Sequence, residues 1–393
     1  MIDYSKVLSQ SVQKVKPSGI RKYFDIVSEM KDAISLGVGE PDFVTSWNIR
    51  EAAIYSIEKG HTHYTSNWGI IELRTQIAKY LSVRFGLSYN PANEVFVTVG
   101  ASEGIDVSLR ALLNPGDEVL LPDPSYVSYA PGIEFAHGIP VPIKTYAQNG
   151  FKLTYDAVKQ AITPKTKVLI LPYPNNPTGG IMAKEDLAEI ARALEDTDII
   201  VISDEIYAEL TYNGNHVSFA SLPNMHERTI VLNGFSKAFA MTGWRIGYLA
   251  APAQLVQMMV KIHQYSIMCA STNSQYAALE ALRSGFEDNF AHVQFMTREY
   301  NRRRRFLVDR FNEMGLACFE PLGAFYVFPS IQSTNMTSEQ FCDGLLFGKH
   351  VACVPGTAFG ESGEGFIRCS YATSMEKLID ATRLIEAYVN EIK

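Results

Sequence analysis

Lys237 lies in the run NGFSKAFAMTGWRIG, residues 233–247, among Phe235, Ala238, Phe239, Ala240 and Met241, and the run holds no acidic residue. An ammonium group placed in such surroundings without a partner either costs free energy or gives up its proton more readily. The neutral amine that results is a nucleophile and a base near neutral pH. A second set of candidates sits where apolar runs end. VISDEIY places Asp204 directly after one such run, and PYPNNPTGG places Asn175 and Asn176 after another, in a turn rich in proline and glycine. Each has a plainer explanation too: Asp204 as a helix cap, Asn176 as a turn former, Lys237 as a surface lysine with its stem on apolar neighbours. GASEG (100–104) fits G-x-S-x-G between a strand-like run and a helical pattern. That context allows a nucleophile elbow at Ser102. It equally allows an anion site built from helix-start N–H groups, or a turn that merely needs glycine.

These residues need a scaffold, and the chain between 94 and 250 describes one. EVFVTV, EVLLP, KVLIL, IIVIS, TIVLN and IGYLA are short, nearly all-apolar runs bounded by turn residues. They alternate with helical patterns such as IDVSLRALL and KEDLAEIARAL. Continuous apolar strands are buried on both faces, which predicts a largely parallel sheet covered by helices. Ligands of such sheets bind beyond the carboxyl ends of the strands, so Asp204, Asn176 and Lys237 are expected to face one crevice. After residue 285 the texture changes. A charged helical pattern runs from Asp288 to Glu313, and ACFE, AFYVFP, VACVP and FIRCS are strand candidates alternating with two further helices, the last at 375–392. The expected organisation is a large α/β domain over 48–285 and a smaller α+β domain over 286–393, completed by residues 1–47.

Composition narrows the function classes. With 47% hydrophobic and 20% charged residues the chain reads as an ordinary globular protein, and its net charge of −7 gives no nucleic-acid footprint. The densest basic run, Arg302–Arg305, is expected on a solvated or dimer-facing helix. No apolar stretch reaches membrane-spanning length, and MIDYSKVLSQSVQKVK lacks the apolar core of a signal peptide, so no membrane association and a cytoplasmic location are expected. Five scattered cysteines without a C-x-x-C pair read as reduced thiols. Only His61 and His63 have ligand-like spacing, in a loop-like segment, and no metal is expected.

An acid, an amide, a desolvated lysine and a phosphate-ready helix start on one sheet edge describe a pocket for an aromatic phosphate. SDEIYAEL followed by NGFSKAFAMTGWRIG resembles the core signature of the class I/II aminotransferases, fold-type I enzymes that use pyridoxal 5′-phosphate. The resemblance runs from SLGVGEPDF through HYTSNWGIIELR and PNNPTGG to PLGAFYVF and GFIRCSYA, and is closest to bacterial aromatic and N-acetyl-diaminopimelate aminotransferases. It implies a mostly parallel seven-stranded sheet in the large domain and a homodimer with shared active sites. It also implies ping-pong transfer of an amino group from an α-amino acid to a 2-oxo acid such as 2-oxoglutarate.

The resemblance further implies residue roles. Lys237 would bond the cofactor as an aldimine and shuttle a proton, Asp204 would pair with the pyridine nitrogen, and Asn176 and Tyr207 would bond its 3′ oxygen. Tyr126 would stack on the ring. Ala101, Ser102 and Arg245 would cradle the phosphate, joined by Tyr64 of a second subunit. Arg368 in GFIRCS and the backbone of Gly39 would take the substrate carboxylate, and Asn176 would bind substrate as well as cofactor. Gly234 departs from the family pattern, which often has Ser or Thr there, and Ser236 is not counted among the binding residues. No further arginine or lysine falls where it would fix a distal carboxylate. Tyr126, His263, Gln264 and Tyr265 are the expected surroundings of the substrate side chain. The alternatives are a pyridoxal-phosphate-dependent C–S lyase and a serine hydrolase with Ser102 as nucleophile.

Overall fold

A computed structural model describes residues 2–17, 19, 20, 30 and 32–392, so part of the expected N-terminal portion of the small domain lies outside the described residues. Twelve strands are described: β1 (Ile34–Ser35), β2 (Val95–Thr98), β3 (Glu118–Asp123), β4 (Ile139–Lys144), β5 (Thr166–Leu171), β6 (Ile200–Asp204), β7 (Thr229–Gly234), β8 (Gly247–Ala250), β9 (Tyr326–Val327), β10 (Val351–Ala352), β11 (Val354–Pro355) and β12 (Ile367–Ser370). The central sheet has seven strands in the order β2-β8-β7-β6-β5-β3-β4. From β7 to β4 every pairing is parallel, while β8 is antiparallel to both β2 and β7. Two antiparallel steps make β2 run the same way as β7. The carboxyl ends of β2, β3, β5, β6 and β7 therefore open on one edge, and β8 begins there.

Alternate strand residues feed opposite faces, as the pleat requires. Phe96, Ile230, Leu232 and Leu249 pack with the helices Gly100–Leu112 and Ala253–Ser266. Their neighbours Val95, Val97, Val231 and Tyr248 pack with Trp47–Glu58, Ile71–Phe85 and Thr272–Asp288. A separate core joins Ala291–Glu313, Ser338–Lys349 and Met375–Ile392 to β9, β10 and β12, with Leu36 and Tyr207 reaching into it. The parallel pairing of Ile34 with Val351 ties the N-terminal segment to this core.

Three expectations need correction here. The helical pattern from Asp288 to Glu313 is interrupted: Asn289 and Phe290 adopt left-handed φ values of 54° and 56°, ending one helix at Asp288 and starting the next at Ala291. Gly285 makes this possible, since a Cβ there would lie 2.4 Å from the Phe290 ring. ACFE is not a strand. The Asn312 side chain takes the Cys318 N–H at 2.9 Å and donates to its carbonyl, replacing a ladder partner. Finally, Arg302–Arg305 is not a solvated face throughout. Arg303 and Arg304 are buried and paired at 2.8 and 2.7 Å with Asp42 and Glu320, partners distant in sequence.

Candidate active site

The strand ends surround a cavity of about 820 Å³ that brings together Lys237, Asp204, Asn176 and Arg368. Tyr207, Tyr126, Gly39, Ala101, Ser102 and Arg245 line it as well. Tyr64 does not: it is 80% exposed, on the loop before Ile71–Phe85. Ser236, left out of the binding set above, lines the cavity and is buried. Gly234 contributes no side chain, and its surroundings are narrow: a Cβ would lie 3.0 Å from the Gly247 Cα and 3.2 Å from the Ile246 carbonyl. His263, Gln264 and Tyr265 are absent from the lining. His263 is buried behind the sheet, against Phe96 and 2.6 Å from Glu103, and Tyr265 faces solvent.

Lys237 follows β7 in a tight turn and donates from Nζ to the Gly39 carbonyl at 2.6 Å. Burial lowers its pKa to about 8, with Glu40 opposing that shift. The apolar run thus does what its composition predicts and leaves far more neutral amine near neutral pH than an ordinary lysine keeps.

Asp204 closes β6. Its Oδ2 accepts from the Tyr129 hydroxyl at 2.8 Å and its Oδ1 from the Ile206 N–H at 3.2 Å. Burial pushes the carboxyl pKa up, and the Tyr129 hydrogen bond pulls it back. A buried carboxylate held by two neutral donors is still short of a positive partner, which a protonated ring nitrogen would supply. Tyr129 was not anticipated; only its spacing from Tyr126, at the start of the helix Tyr129–Phe135, hints at it.

Arg368, on β12, is 2% exposed and has no carboxylate partner among the described residues. Its Nη1 donates to Asn176 Oδ1 at 2.9 Å, its Nη2 donates to the Gly37 carbonyl, and its Nε is unpartnered. Burial lowers its pKa, but an arginine stays protonated. A buried, uncompensated guanidinium calls for an anionic ligand, and its fork matches a carboxylate.

The second guanidinium of the cavity, that of Arg245, sits over a helix start. A Cβ on Gly100 would lie 2.6 Å from Arg245 Nη2, and one on Gly247 would lie 2.7 Å from the Ala101 nitrogen. Glycine at both positions lets the guanidinium and β8 close on the first turn of Gly100–Leu112, where N–H groups of Ala101 and Ser102 have no helical acceptor. Arg245, at φ 50°, donates to the Thr242 carbonyl at 3.1 Å and has no described carboxylate partner. Guanidinium plus helix start is a phosphate cradle.

Among the lining residues there is no histidine, so Ser102 has no base of the kind a hydrolase triad uses. Replacing Ser102 by alanine removes one hydroxyl and leaves the N–H groups in place. Turnover should fall by no more than about tenfold; complete loss with the cofactor still bound would restore the nucleophile reading. The donor set fits pyridoxal 5′-phosphate on this structure's own terms: an uncompensated cation and helix start for phosphate, a buried carboxylate for a cationic ring nitrogen, a near-neutral lysine for an aldehyde, and aromatic walls.

The family model described as aminotransferase class I and II matches residues 31–385. The chain is 54% identical to the putative aminotransferase YugH of Bacillus subtilis over 98% of both chains. It is 48% identical to an aspartate aminotransferase of Pyrococcus abyssi over 98% of this chain and 99% of that protein. The crystal structure of an aromatic aminotransferase from Pyrococcus horikoshii superposes with a TM-score of 0.90 at 46% identity, covering 94% of this chain and 99% of the other.

Proposed function

Since the chain belongs to the class I and II aminotransferases, pyridoxal-phosphate-dependent enzymes that exchange amino groups between amino acids and 2-oxo acids, we propose that the cavity between the strand ends and β12 is its active site. The observation that carries the residue assignment is the pairing, in one cavity, of a lysine whose pKa burial lowers to about 8 and a buried arginine without a carboxylate partner among the described residues. The comparisons lend no support to the lyase or the hydrolase.

When bound, pyridoxal phosphate supplies an aldehyde that condenses with amines and a ring that draws electrons from the bonds of the substrate α-carbon. The chain's own residues do the rest. Arg245 and the N–H groups of Ala101 and Ser102 hold the phosphate, Asp204 holds the ring nitrogen protonated, and Tyr126 covers a ring face. Asn176 and Tyr207 donate to the 3′ oxygen. Arg368 and the Gly39 backbone fix the substrate α-carboxylate. Lys237 Nζ, whose hold on its proton is weakened by burial, would accept the substrate α-proton as a general base and give it up again as an acid.

Arg368→Lys replaces a fork by a point charge. The KM for an amino acid should rise about tenfold to a hundredfold, in keeping with one lost charge-assisted bond, while an amine lacking the carboxylate reacts as before. Equal losses for both would refute the carboxylate role.

The described lining residues include three cations, Lys237, Arg245 and Arg368, and all three have tasks in this reading. Donors with uncharged, notably aromatic, side chains therefore fit better than aspartate, with 2-oxoglutarate as acceptor keeping its distal carboxylate in water. Half-reaction rates for an amino-acid panel, followed by the visible absorption of the loaded enzyme, test this. Phenylalanine or tyrosine should outpace aspartate, and the reverse order would overturn it.

The active unit is a homodimer in our reading. Val44, Trp47, Ile54, Tyr55, Tyr265 and Met268 are all exposed. The Asn67 side chain, bonded to the Met268 carbonyl at 2.8 Å, ties the loop of Tyr64 to the exposed segment of Tyr265 and Met268. Docking a second copy there brings the partner's Tyr64 to the phosphate. A hybrid of Lys237→Ala and Tyr64→Ala chains then has one site with both defects and one intact. Subunit exchange should restore up to about half the activity per hybrid dimer by two-fold symmetry; activity that stays at the sum of the unmixed variants means each site is built from one chain. We also infer the two-domain division at about 48 and 285. A cytoplasmic setting agrees with the lack, among the described residues, of any helix long and apolar enough to cross a membrane.

A further inference from the structure

Tyr326 is touched by three separate parts of the active site, and none of the readings above gives it a role. It lies on β9, opposite Ser370 of β12, and side chains two residues apart on a strand share a face, so it stands diagonally beside Arg368. The Arg368 guanidinium carbon is 4.4 Å from the centre of its ring. The hydroxyl is 2.9 Å from the Tyr207 hydroxyl. Gly39 packs so closely on that hydroxyl that a Cβ would come within 2.5 Å of it. Tyr326 is only 1% exposed yet lines the cavity.

The ring and the hydroxyl have different consequences. The ring is a flat, apolar support for a guanidinium that lacks an anionic partner, and a desolvated cation over such a face is held in orientation as well as in energy. The hydroxyl bears on a proton count. Tyr207 has one proton; given to Tyr326, it is lost to any ligand oxygen, whereas a proton received from Tyr326 leaves Tyr207 free to donate into the cavity. We propose that Tyr326 is a positioning residue that donates to the Tyr207 hydroxyl, aiming the Tyr207 proton at the cofactor oxygen, while its ring sets the plane of Arg368 for the substrate carboxylate. The proposal rests on the roles given above to Tyr207 and Arg368. It joins the cofactor-tuning and the carboxylate-binding halves of the site through one side chain.

Two substitutions separate the two parts. Tyr326→Phe keeps the ring and removes the hydroxyl; Tyr326→Leu removes both. One readout is the pH midpoint at which the visible band of the loaded protein changes. The other is the dissociation constant of 3-phenylpropionate, a carboxylate with no amino group to react. Tyr326→Phe should move the midpoint by about half a pH unit or more, in the direction in which Tyr207→Phe moves it. The double variant should show no further shift, because both changes break one chain of hydrogen bonds. The affinity of Tyr326→Phe for 3-phenylpropionate should stay within about twofold of native, while Tyr326→Leu should weaken that binding by about tenfold or more. A midpoint unmoved in Tyr326→Phe but moved in Tyr207→Phe overturns the positioning role alone. A midpoint unmoved in both overturns the reading of Tyr207 and the proposal with it. Unchanged 3-phenylpropionate binding by Tyr326→Leu overturns the ring's part. Should Tyr326→Leu fail to fold, as a cavity-forming core change can, the isosteric Tyr326→Phe still decides the hydroxyl's part.

Discussion

Lys237→Ala lowers transamination by about three orders of magnitude or more, the largest loss expected of any single change in the chain. One amine both captures the cofactor aldehyde and carries the α-proton, and a positioned acid–base group alone contributes about 10²–10⁴-fold. The fold should tolerate the change. Among the described residues the ammonium has one hydrogen-bond acceptor, the Gly39 carbonyl, and its removal relieves the site of a desolvated charge. The variant should still hold the cofactor through Arg245, Asp204 and the helix start, without a covalent bond. In the native protein the lysine's pKa near 8 adds a pH signature. Capture of pyridoxal by the cofactor-free protein should quicken by about tenfold per pH unit below 8 and level off above it, because only the neutral amine attacks. A purified Lys237→Ala protein that kept a tenth of native turnover would remove Lys237 from the reaction.

The second largest effect belongs to Asp204. Asp204→Asn keeps an oxygen for the Tyr129 hydroxyl and removes only the charge, so it separates electrostatics from structure. The amide of Asp204→Asn would offer no negative charge to keep a bound ring nitrogen protonated, and a neutral ring would be a poorer electron sink. Turnover should fall by about two orders of magnitude or more, the scale of losing one preorganised electrostatic contact, and Asp204→Ala should in addition weaken cofactor binding. Steady-state rates with saturating pyridoxal phosphate measure the first effect, and titration of the visible band measures the second. If Asp204→Asn stays within about twofold of native turnover at saturating cofactor, the carboxylate is structural rather than electrostatic.

The residues at the parallel strand ends were legible because topology does the positioning. Asp204, Asn176 and Lys237 each follow an apolar run, and parallel runs deliver their ends to one edge. Arg368 became legible only through a family signature, since nothing local in GFIRCS says that its guanidinium will meet Asn176, 192 residues away. Contacts between distant segments stayed hidden. Tyr129 meets Asp204 across 75 residues, and Tyr326 meets Tyr207 across 119. The same limit misplaced His263, whose helix turns it toward Glu103 and Phe96 rather than the cavity. It also hid Arg303, whose partner Asp42 lies 261 residues away. A run of four arginines looks solvated until the fold supplies its acids.

Reduction of the loaded protein with borohydride, followed by mapping of the modified peptide, tests the central assignment most directly, because it fixes the cofactor to whichever amine holds it. One pyridoxyl phosphate group per chain is expected, on Lys237, within the segment Asn233–Gly247. A stoichiometric label on another lysine, with Lys237 unmodified, would contradict it.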